Sequence, residues 1–163
     1  MNTDQSTIIN AVLKRLITEV AELNESNCVI PEDDDSPQIP RQSSILVAVS
    51  PMGGQFDDGW FEGGAADQCH EHSGVLVTVW SQIKLDTPGR RTSAMLEINR
   101  GLMPWKKKIL KALAGHRLLD DNGNELLTEL MAPRDSRFPR RSSDGECVGV
   151  AISFATDFLW DLT

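Results

Sequence analysis

The last stretch of the chain shows the clearest alternation between apolar and other positions. Between Val148 and Trp160, bulky apolar side chains occupy one set of alternating positions and small or polar ones the other: Val148, Val150, Ile152, Phe154, Phe158 and Trp160 against Gly149, Ala151, Ser153, Ala155 and Asp157. Because side chains alternate faces along a strand, one face is apolar, and the other, which we call the bare face, carries only small or polar side chains. The pattern predicts a central or closing strand. A helix layer should cover its apolar face, and another backbone or subunit should approach its bare face.

Three segments have the apolar spacing of helices. Gln5 to Leu23 predicts an amphipathic helix of about five turns, with Asp4 as its N-cap. Thr92 to Leu102 predicts a second helix. A third should begin at Pro104 and end at Gly115, since proline suits a first helical turn and glycine a C-terminal cap.

Two further apolar runs predict strands. Ser44 to Ser50 is a short apolar strand before Pro51, and Gly74 to Leu85 alternates as a half-buried strand does, so the two should pair antiparallel. Asn122-Gly123 and Asp144-Gly145 predict tight turns, the first between short strands over 117–119 and 125–131. The predicted fold is α+β: a single domain, mainly antiparallel sheet, with a long N-terminal helix and a helical pair packed on it.

Two long connections separate these elements. Residues 24–41 contain three prolines and the acidic run Glu32 to Asp35, which predicts an exposed acidic connector. Residues 51–73 combine five glycines with Phe56, Trp60 and Phe61. A mobile loop with large aromatic anchors is typical of a segment that becomes ordered against a partner. The alternative is a compact loop folded onto its own domain.

Composition narrows the classes of protein. The 163 residues suffice for one domain, and the net charge of −8 disfavours general binding to nucleic acid or anionic membranes. No apolar run reaches the length of about 18 residues that spans a bilayer, and no secretory signal is expected. Three widely spaced cysteines, Cys28, Cys69 and Cys147, predict reduced thiols in a cytosolic compartment.

No catalytic motif accompanies these elements. The glycines of residues 51–73 lack the lysine of a phosphate-binding loop, and neither a nucleophile elbow nor an HExxH helix occurs. Cys69-His70-Glu71-His72 offers four potential zinc ligands, but no second pair of ligands exists apart from the single His116. We therefore expect no catalytic, cofactor-binding or metal-binding residues.

A basic cluster stands out in this acidic chain. Arg134, Arg137, Arg140 and Arg141 lie among prolines and serines, with Phe138 as the single nearby aromatic residue. Arginine suits phosphate groups, but it also suits an acidic protein surface, such as residues Asp33, Asp34 and Asp35 of a sister subunit. Both partners remain open at this point.

The order of these elements resembles the tail-terminator (tail-completion) proteins of long-tailed bacteriophages, and more loosely the head–tail joining and tail-tube proteins. The resemblance rests on Ser44–Ser50 with the loop that follows, on Gly74–Leu85, and on the closing strand with its aromatic end. It implies an α+β subunit in a six-membered ring, placed in the virion between the tail tube protein and the neck or connector protein. Assembly would occur in the host cytoplasm, DNA would at most pass through the ring, and no cofactor or catalysis would be involved.

The expected interface residues are the aromatic, basic and acidic groups described above: Phe56, Trp60, Phe61, Arg134, Arg137, Arg140, Arg141, Asp33, Asp34 and Asp35. Three alternatives stay open. The chain could be a head–tail adaptor or another neck protein, or a nucleic-acid-associated factor that uses the arginine cluster. It could also be an enzyme without a recognisable motif, for instance a hydrolase centred on His70 and His72.

Overall fold

The scaffold is an α+β domain in which one sheet of six strands carries two helices. The computed structural model describes residues 3–57, 68–83, 85–87, 90–91 and 101–161. Within these ranges no helix is both long and apolar enough to cross a membrane.

The N-terminal helix, α1, spans Gln5–Glu19. The Asp4 carboxylate accepts hydrogen bonds from the Thr7 backbone N–H and hydroxyl, both at 2.7 Å, and so caps the first turn as predicted. The predicted end at Leu23 was wrong, because the backbone leaves the helix at Val20. Val20 and Leu23 are nevertheless buried, so the apolar spacing continued through a turn that the pattern could not distinguish from helix.

The second described helix, α2, spans Met103–Leu113, with Pro104 in its first turn. Gly115 follows it with φ +73°, the left-handed conformation that glycine adopts without strain, and its N–H donates to the Met131 carbonyl at 2.7 Å. Both predicted ends of this helix are therefore confirmed. The helix predicted over Thr92–Leu102 lies outside the described residues except for its last two positions.

The strands are β1 (Cys28–Val29), β2 (Ile45–Phe56), β3 (Gln68–Gln82), β4 (Leu85–Thr87), β5 (Arg90–Arg91), β6 (Ala132–Arg141), β7 (Cys147–Ala155) and β8 (Phe158–Asp161). The main sheet has the order β1-β2-β3-β7-β6, and β8 also pairs with β3. All pairs are antiparallel except β1 with β2, while β4 and β5 form a separate two-stranded ribbon.

β2 and β3 are longer than the sequence predicted at the ends that face each other along the chain. Residues 51–56 and 68–73, expected in a loop, belong to the strands, while β3 ends at Gln82 instead of Leu85. A bulge between Met52 and Gln55 accommodates Gly53 and Gly54 within the ladder. A Cβ on Gly54 would lie 2.9 Å from the His72 backbone carbonyl oxygen, which cannot move aside as a flexible side chain can, and this explains a glycine there. The connection shrinks to residues 57–67, of which 58–67 lie outside the described residues.

The predicted closing strand is present as β7 and β8, interrupted at Thr156 and Asp157. The register is the same on both sides of the interruption, since Ala155 pairs with Gly74 and Phe158 pairs with Glu71. β7 is central, between β3 and β6, as its apolar pattern predicted. The Thr156 N–H still donates a hydrogen bond to the Ser73 carbonyl at 3.1 Å, so β7 and β8 pair with β3 almost as one continuous strand.

The two predicted turns have different outcomes. Asp144-Gly145 joins β6 to β7, with Gly145 at φ +73°. Gly123 also turns the chain, at φ +82°, but a single bridge between Leu119 and Glu125 follows, and the strand predicted over 125–131 was wrong. Three of the four apolar residues of that segment, Leu126, Leu127 and Met131, are instead buried in the core, while Leu130 is exposed.

Helices α1 and α2 cover one face of the sheet and form the main core with it. The fully buried side chains of that core include Val12, Leu16, Val47, Val77, Ile109, Leu113, Val150, Phe154 and Phe158. Burial of such side chains contributes roughly 1.5–3 kcal/mol each relative to exposure. The apolar face of the closing strand is thus under a helix layer, as predicted.

The opposite face of the sheet has its own small core, formed by Leu46, Ala48, Trp80 and Cys147, with Val29 and Ile39 against it. A Cβ on Gly149 would lie 2.8 Å from the Trp80 ring, so the tryptophan fills the space that the bare face leaves. Ala151 and Ser153 are also buried. The sequence left open whether another backbone or another subunit approaches this bare face, and the structure shows that the chain itself buries these residues.

Candidate assembly surface and the histidine cluster

The arginine cluster lies on β6, the last strand of the sheet order, and its members have different surroundings. Arg140 turns onto the sheet. Its guanidinium donates to the Thr78 hydroxyl at 3.2 Å, pairs with Asp35 at 3.0 Å and lies 5.6 Å from the centre of the Trp80 ring. Only 22% of its side chain is exposed. Arg140 is therefore part of the subunit's own packing and is not available to a partner.

The other three arginines face solvent. Arg137 is 77% exposed and lies 3.6 Å from its neighbour Asp135, while Arg134 is 53% exposed and lies 3.6 Å from Asp157. Arg141 is exposed, and within the described part of the chain it has no ion pair. Nearby on α2, Lys106 donates to the Ser136 hydroxyl at 2.8 Å and lies 5.8 Å from the Phe138 ring centre. We call Arg134, Arg137, Arg141 and Lys106 the basic edge.

The acidic run is held against its own subunit. Asp33 accepts from the Asp35 backbone N–H at 3.0 Å, and Asp34 accepts from the Ser50 hydroxyl at 2.5 Å. The Asp35 carbonyl also accepts from the Ser143 N–H at 2.8 Å. The expected pairing of this run with a sister subunit is thus corrected for Asp35, whose side chain meets Arg140 within one chain.

Of the predicted aromatic anchors, Phe56 ends β2 and is 52% exposed. Trp60 and Phe61 lie outside the described residues. A large apolar side chain that is half exposed at a strand end suits a contact with another chain, although single exposed apolar residues also occur on monomeric proteins.

A second group of functional side chains comes together where β2, β3 and β8 meet. His70 and His72 are two residues apart on β3 and so face the same side of the sheet. Asp57 follows β2, and its N–H donates to the His70 carbonyl at 3.2 Å, which places it opposite His70. Asp157 occupies the interruption between β7 and β8, directly opposite His72 in the continued register.

Hydrogen bonds link these four side chains. Asp57 meets His70 Nδ1 at 2.9 Å and His72 Nε2 at 2.8 Å, while Asp157 meets His72 Nδ1 at 2.9 Å. The bond to Asp157, followed by that to Asp57, raises the pKa of His72. Bonds from His70 and then His72 lower the pKa of Asp57. The arrangement therefore favours an imidazolium held between two carboxylates.

The same cluster has the composition of a cation site. One ligand atom from each of Asp57, His70 and His72 lies within 4.8 Å of the other two. The sequence analysis singled out the histidines but missed both aspartates, which lie 15 and 85 positions from His72. The alternating HxH spacing on a strand was the available signal, since it places both rings on one face.

The cysteines contribute no reactive group to either surface. All three are free and buried. Burial raises the pKa of Cys28 to about 12 and also raises the pKa of Cys147, so both stay as neutral thiols at physiological pH.

The α+β fold of this chain is also found among solved structures. A solved structure described as the virion of a native gene transfer agent (GTA) particle contains a chain with this fold. The TM-score is 0.55 at 14% sequence identity, and the similarity covers 94% of this chain and 96% of that one. No protein-family model matches the sequence, and no curated protein matches it significantly. At this identity the similarity establishes a shared fold alone.

Proposed function

We propose that this chain is a structural virion protein that forms a ring at the end of a tail tube and joins the tail to the neck. The observation that carries the proposal is the near-complete overlap in fold with a chain of a gene transfer agent virion. The element order that resembles tail-terminator proteins adds the more specific role. The proposed role is structural and requires neither a cofactor nor catalysis.

The proposed contacts between subunits involve exposed residues of the basic edge and Phe56. β6 lies at the end of the sheet order, so Arg137 and Arg141 project from the rim of the subunit. With a net charge of −8, a neighbouring copy presents acidic surface to them. A closed ring of about six copies would repeat this head-to-tail contact at every interface, so weak pairs of about 0–1 kcal/mol each accumulate.

The decisive test of the role is the particle made when the gene is deleted. If the chain terminates the tail, deletion should give tubes of irregular, excessive length without heads. If it is instead a head–tail adaptor, tails of normal length and filled heads should accumulate unjoined. Normal particles, or one copy of the chain per tail by quantitative mass spectrometry, would exclude the ring.

The basic edge is tested by reversing two charges that are remote from the histidine cluster, in the variant Arg137→Glu/Arg141→Glu. The matched control is Lys107→Glu/Lys111→Glu on the exposed side of α2, which changes the net charge equally. Only the arginine variant should lose ring assembly in sedimentation experiments, with the melting temperature of both variants nearly unchanged. Equal loss in both variants would attribute the effect to net charge.

The three exposed arginines also favour one second candidate, a nucleic-acid-associated factor. That function predicts salt-dependent binding of duplex DNA by the wild-type chain, because neutralised phosphates release counterions. The arginine variant would then assemble normally and lose its affinity for DNA. Fluorescence anisotropy at two salt concentrations on the same two variants separates the candidates.

A further inference from the structure

We propose that Asp57, His70 and His72 bind a divalent transition-metal cation of the zinc type. The three side chains come from the end of β2 and from alternate positions of β3, and their ligand atoms lie within 4.8 Å of one another. The site touches the basic edge only through Asp157, which lies 3.6 Å from Arg134, and it does not depend on the proposed assembly role. It would add a cation-binding function to a chain whose sequence predicts none.

The ligand types select the metal. Two imidazoles and one carboxylate suit zinc and its neighbours, whereas calcium and magnesium prefer oxygen ligands alone. Bond lengths of about 2.0–2.1 Å place neighbouring ligand atoms of a tetrahedral zinc roughly 3.3 Å apart. Asp57 oxygens lie 2.9 Å from His70 Nδ1 and 2.8 Å from His72 Nε2. The contact with His70 uses Asp57 Oδ2 and the contact with His72 uses Oδ1, while the three ligand atoms lie within 4.8 Å of one another, so the side chains would have to draw together around a cation.

Asp157 supports this assignment independently. Its Oδ2 lies 2.9 Å from His72 Nδ1, which fixes the ring and directs Nε2 toward Asp57 and His70. A carboxylate that holds the far nitrogen of a histidine is the usual support for a metal ligand. The other oxygen, Oδ1, is buried and accepts no hydrogen bond from the described residues, with only the Arg134 guanidinium at 3.6 Å.

Three protein ligands leave the fourth position of a tetrahedral cation for water. His70 and His72 side chains are 20% and 41% exposed, so solvent and metal reach the site. The bound cation would link the end of β2 to β3 beyond the last paired residues, Phe56 and Glu71. It would also displace the proton shared between His72 and Asp57, so binding should release protons.

The test is calorimetric titration of zinc into the full-length, chelator-treated protein. We expect one equivalent per subunit, and a measured heat that changes with the ionisation enthalpy of the buffer because protons are released. Asp57→Asn and His72→Ala should abolish stoichiometric binding, while Asp157→Asn should weaken it about 10–100-fold. His116→Ala changes an exposed histidine that follows the C-terminal end of α2; it is the matched control and should bind as the wild type does.

Cobalt supplies a second readout, because its absorption spectrum reports ligand type and geometry. We expect a tetrahedral spectrum without thiolate bands. Three outcomes would each overturn the proposal. They are thiolate bands in the cobalt spectrum, wild-type affinity in the His70→Ala/His72→Ala variant, and no stoichiometric binding of zinc by the wild type. Circular dichroism of every variant checks the fold, and Asp57→Asn, which preserves size, keeps the test informative if a histidine variant unfolds.

Discussion

The two halves of β3 share one backbone and one register but are held in place by different forces. The inner half consists of Gly74–Gln82. The helices fully bury Val75, Val77 and Val79 on one face of it, and Trp80 is buried on the opposite face. The outer half consists of Gln68–Ser73. There, His70 and His72 form hydrogen bonds with aspartates, and the Glu71 carboxylate accepts a hydrogen bond of 2.5 Å from the Trp160 indole. The inner half buries apolar side chains on both faces. The outer half is organised by charge and hydrogen bonds.

The inner half of β3 therefore contributes mainly to the stability of the fold, whereas the outer half carries the groups that could bind a ligand. Apolar burial does not depend on direction and gives the inner half most of its free energy of folding. Hydrogen bonds between partly exposed charged groups add little net stability, because water competes for the same groups. Such groups remain able to exchange one partner for another, which is what a ligand site requires. The four changes below test that division, in decreasing order of expected cost.

Trp80→Ala should be the most damaging change, costing about 3–5 kcal/mol of the free energy of unfolding. It removes the largest side chain of the second core and leaves a cavity beside Gly149 and Arg140. Urea unfolding followed by circular dichroism measures the loss. Phe56→Ala, at a half-exposed position, is the control and should change stability little. Equal losses would mean that the inner half is not the stabilising one.

Gly149→Ala should cost about 1–3 kcal/mol, since the added methyl group would overlap the Trp80 ring. The same unfolding measurement applies. In the Trp80→Leu background the overlap is relieved, so the cost of Gly149→Ala should fall clearly. If the stability costs of Gly149→Ala and Trp80→Leu were simply additive, the Trp80 ring would not be the neighbour that requires glycine at position 149.

Arg140→Ala should cost about 1 kcal/mol, because its guanidinium combines one ion pair, one hydrogen bond and a contact with the Trp80 ring. Arg137→Ala, on the same strand but 77% exposed, is the matched control. Its effect on stability should stay within about 0.5 kcal/mol. A double-mutant cycle with Asp35→Ala isolates the ion pair, and zero coupling would show that Arg140 acts through the ring and Thr78 alone.

His72→Ala should have the smallest effect on the chelator-treated protein, below that of Arg140→Ala, since its side chain is 41% exposed. With zinc present, the wild type should gain melting temperature by mass action and the variant should not. Differential scanning fluorimetry with and without zinc measures both. A large loss without metal would place the outer half among the stabilising parts of the subunit.

The sequence predicted those features that depend on neighbouring residues. The caps of α2 were correct because Pro104 and Gly115 act through their own backbone geometry. The outer end of β2 was mistaken for loop because Pro51, Gly53 and Gly54 are typical of turns. In the folded chain they fit a strand only because a bulge admits them opposite β3.

Contacts between distant positions were the main omission. The Asp157 carboxylate reaches His72 only because β7 and β8 keep one register across their interruption. Alternation along a single strand gives the faces of its own side chains and carries no information on which strand lies beside it. For the same reason the four arginines looked alike, although only Arg140 meets Trp80.

The irregular pairing of β6 affects how copies of the protein can associate at high concentration. β6 lies at the end of the sheet order, and its register with β7 shifts twice, around residue 134 and around residues 138 and 139. Pro133 and Pro139 lack an N–H, so a second copy cannot add a regular strand along this edge. Sheets from different copies should therefore not join strand to strand through this edge, and contacts made there must form between side chains.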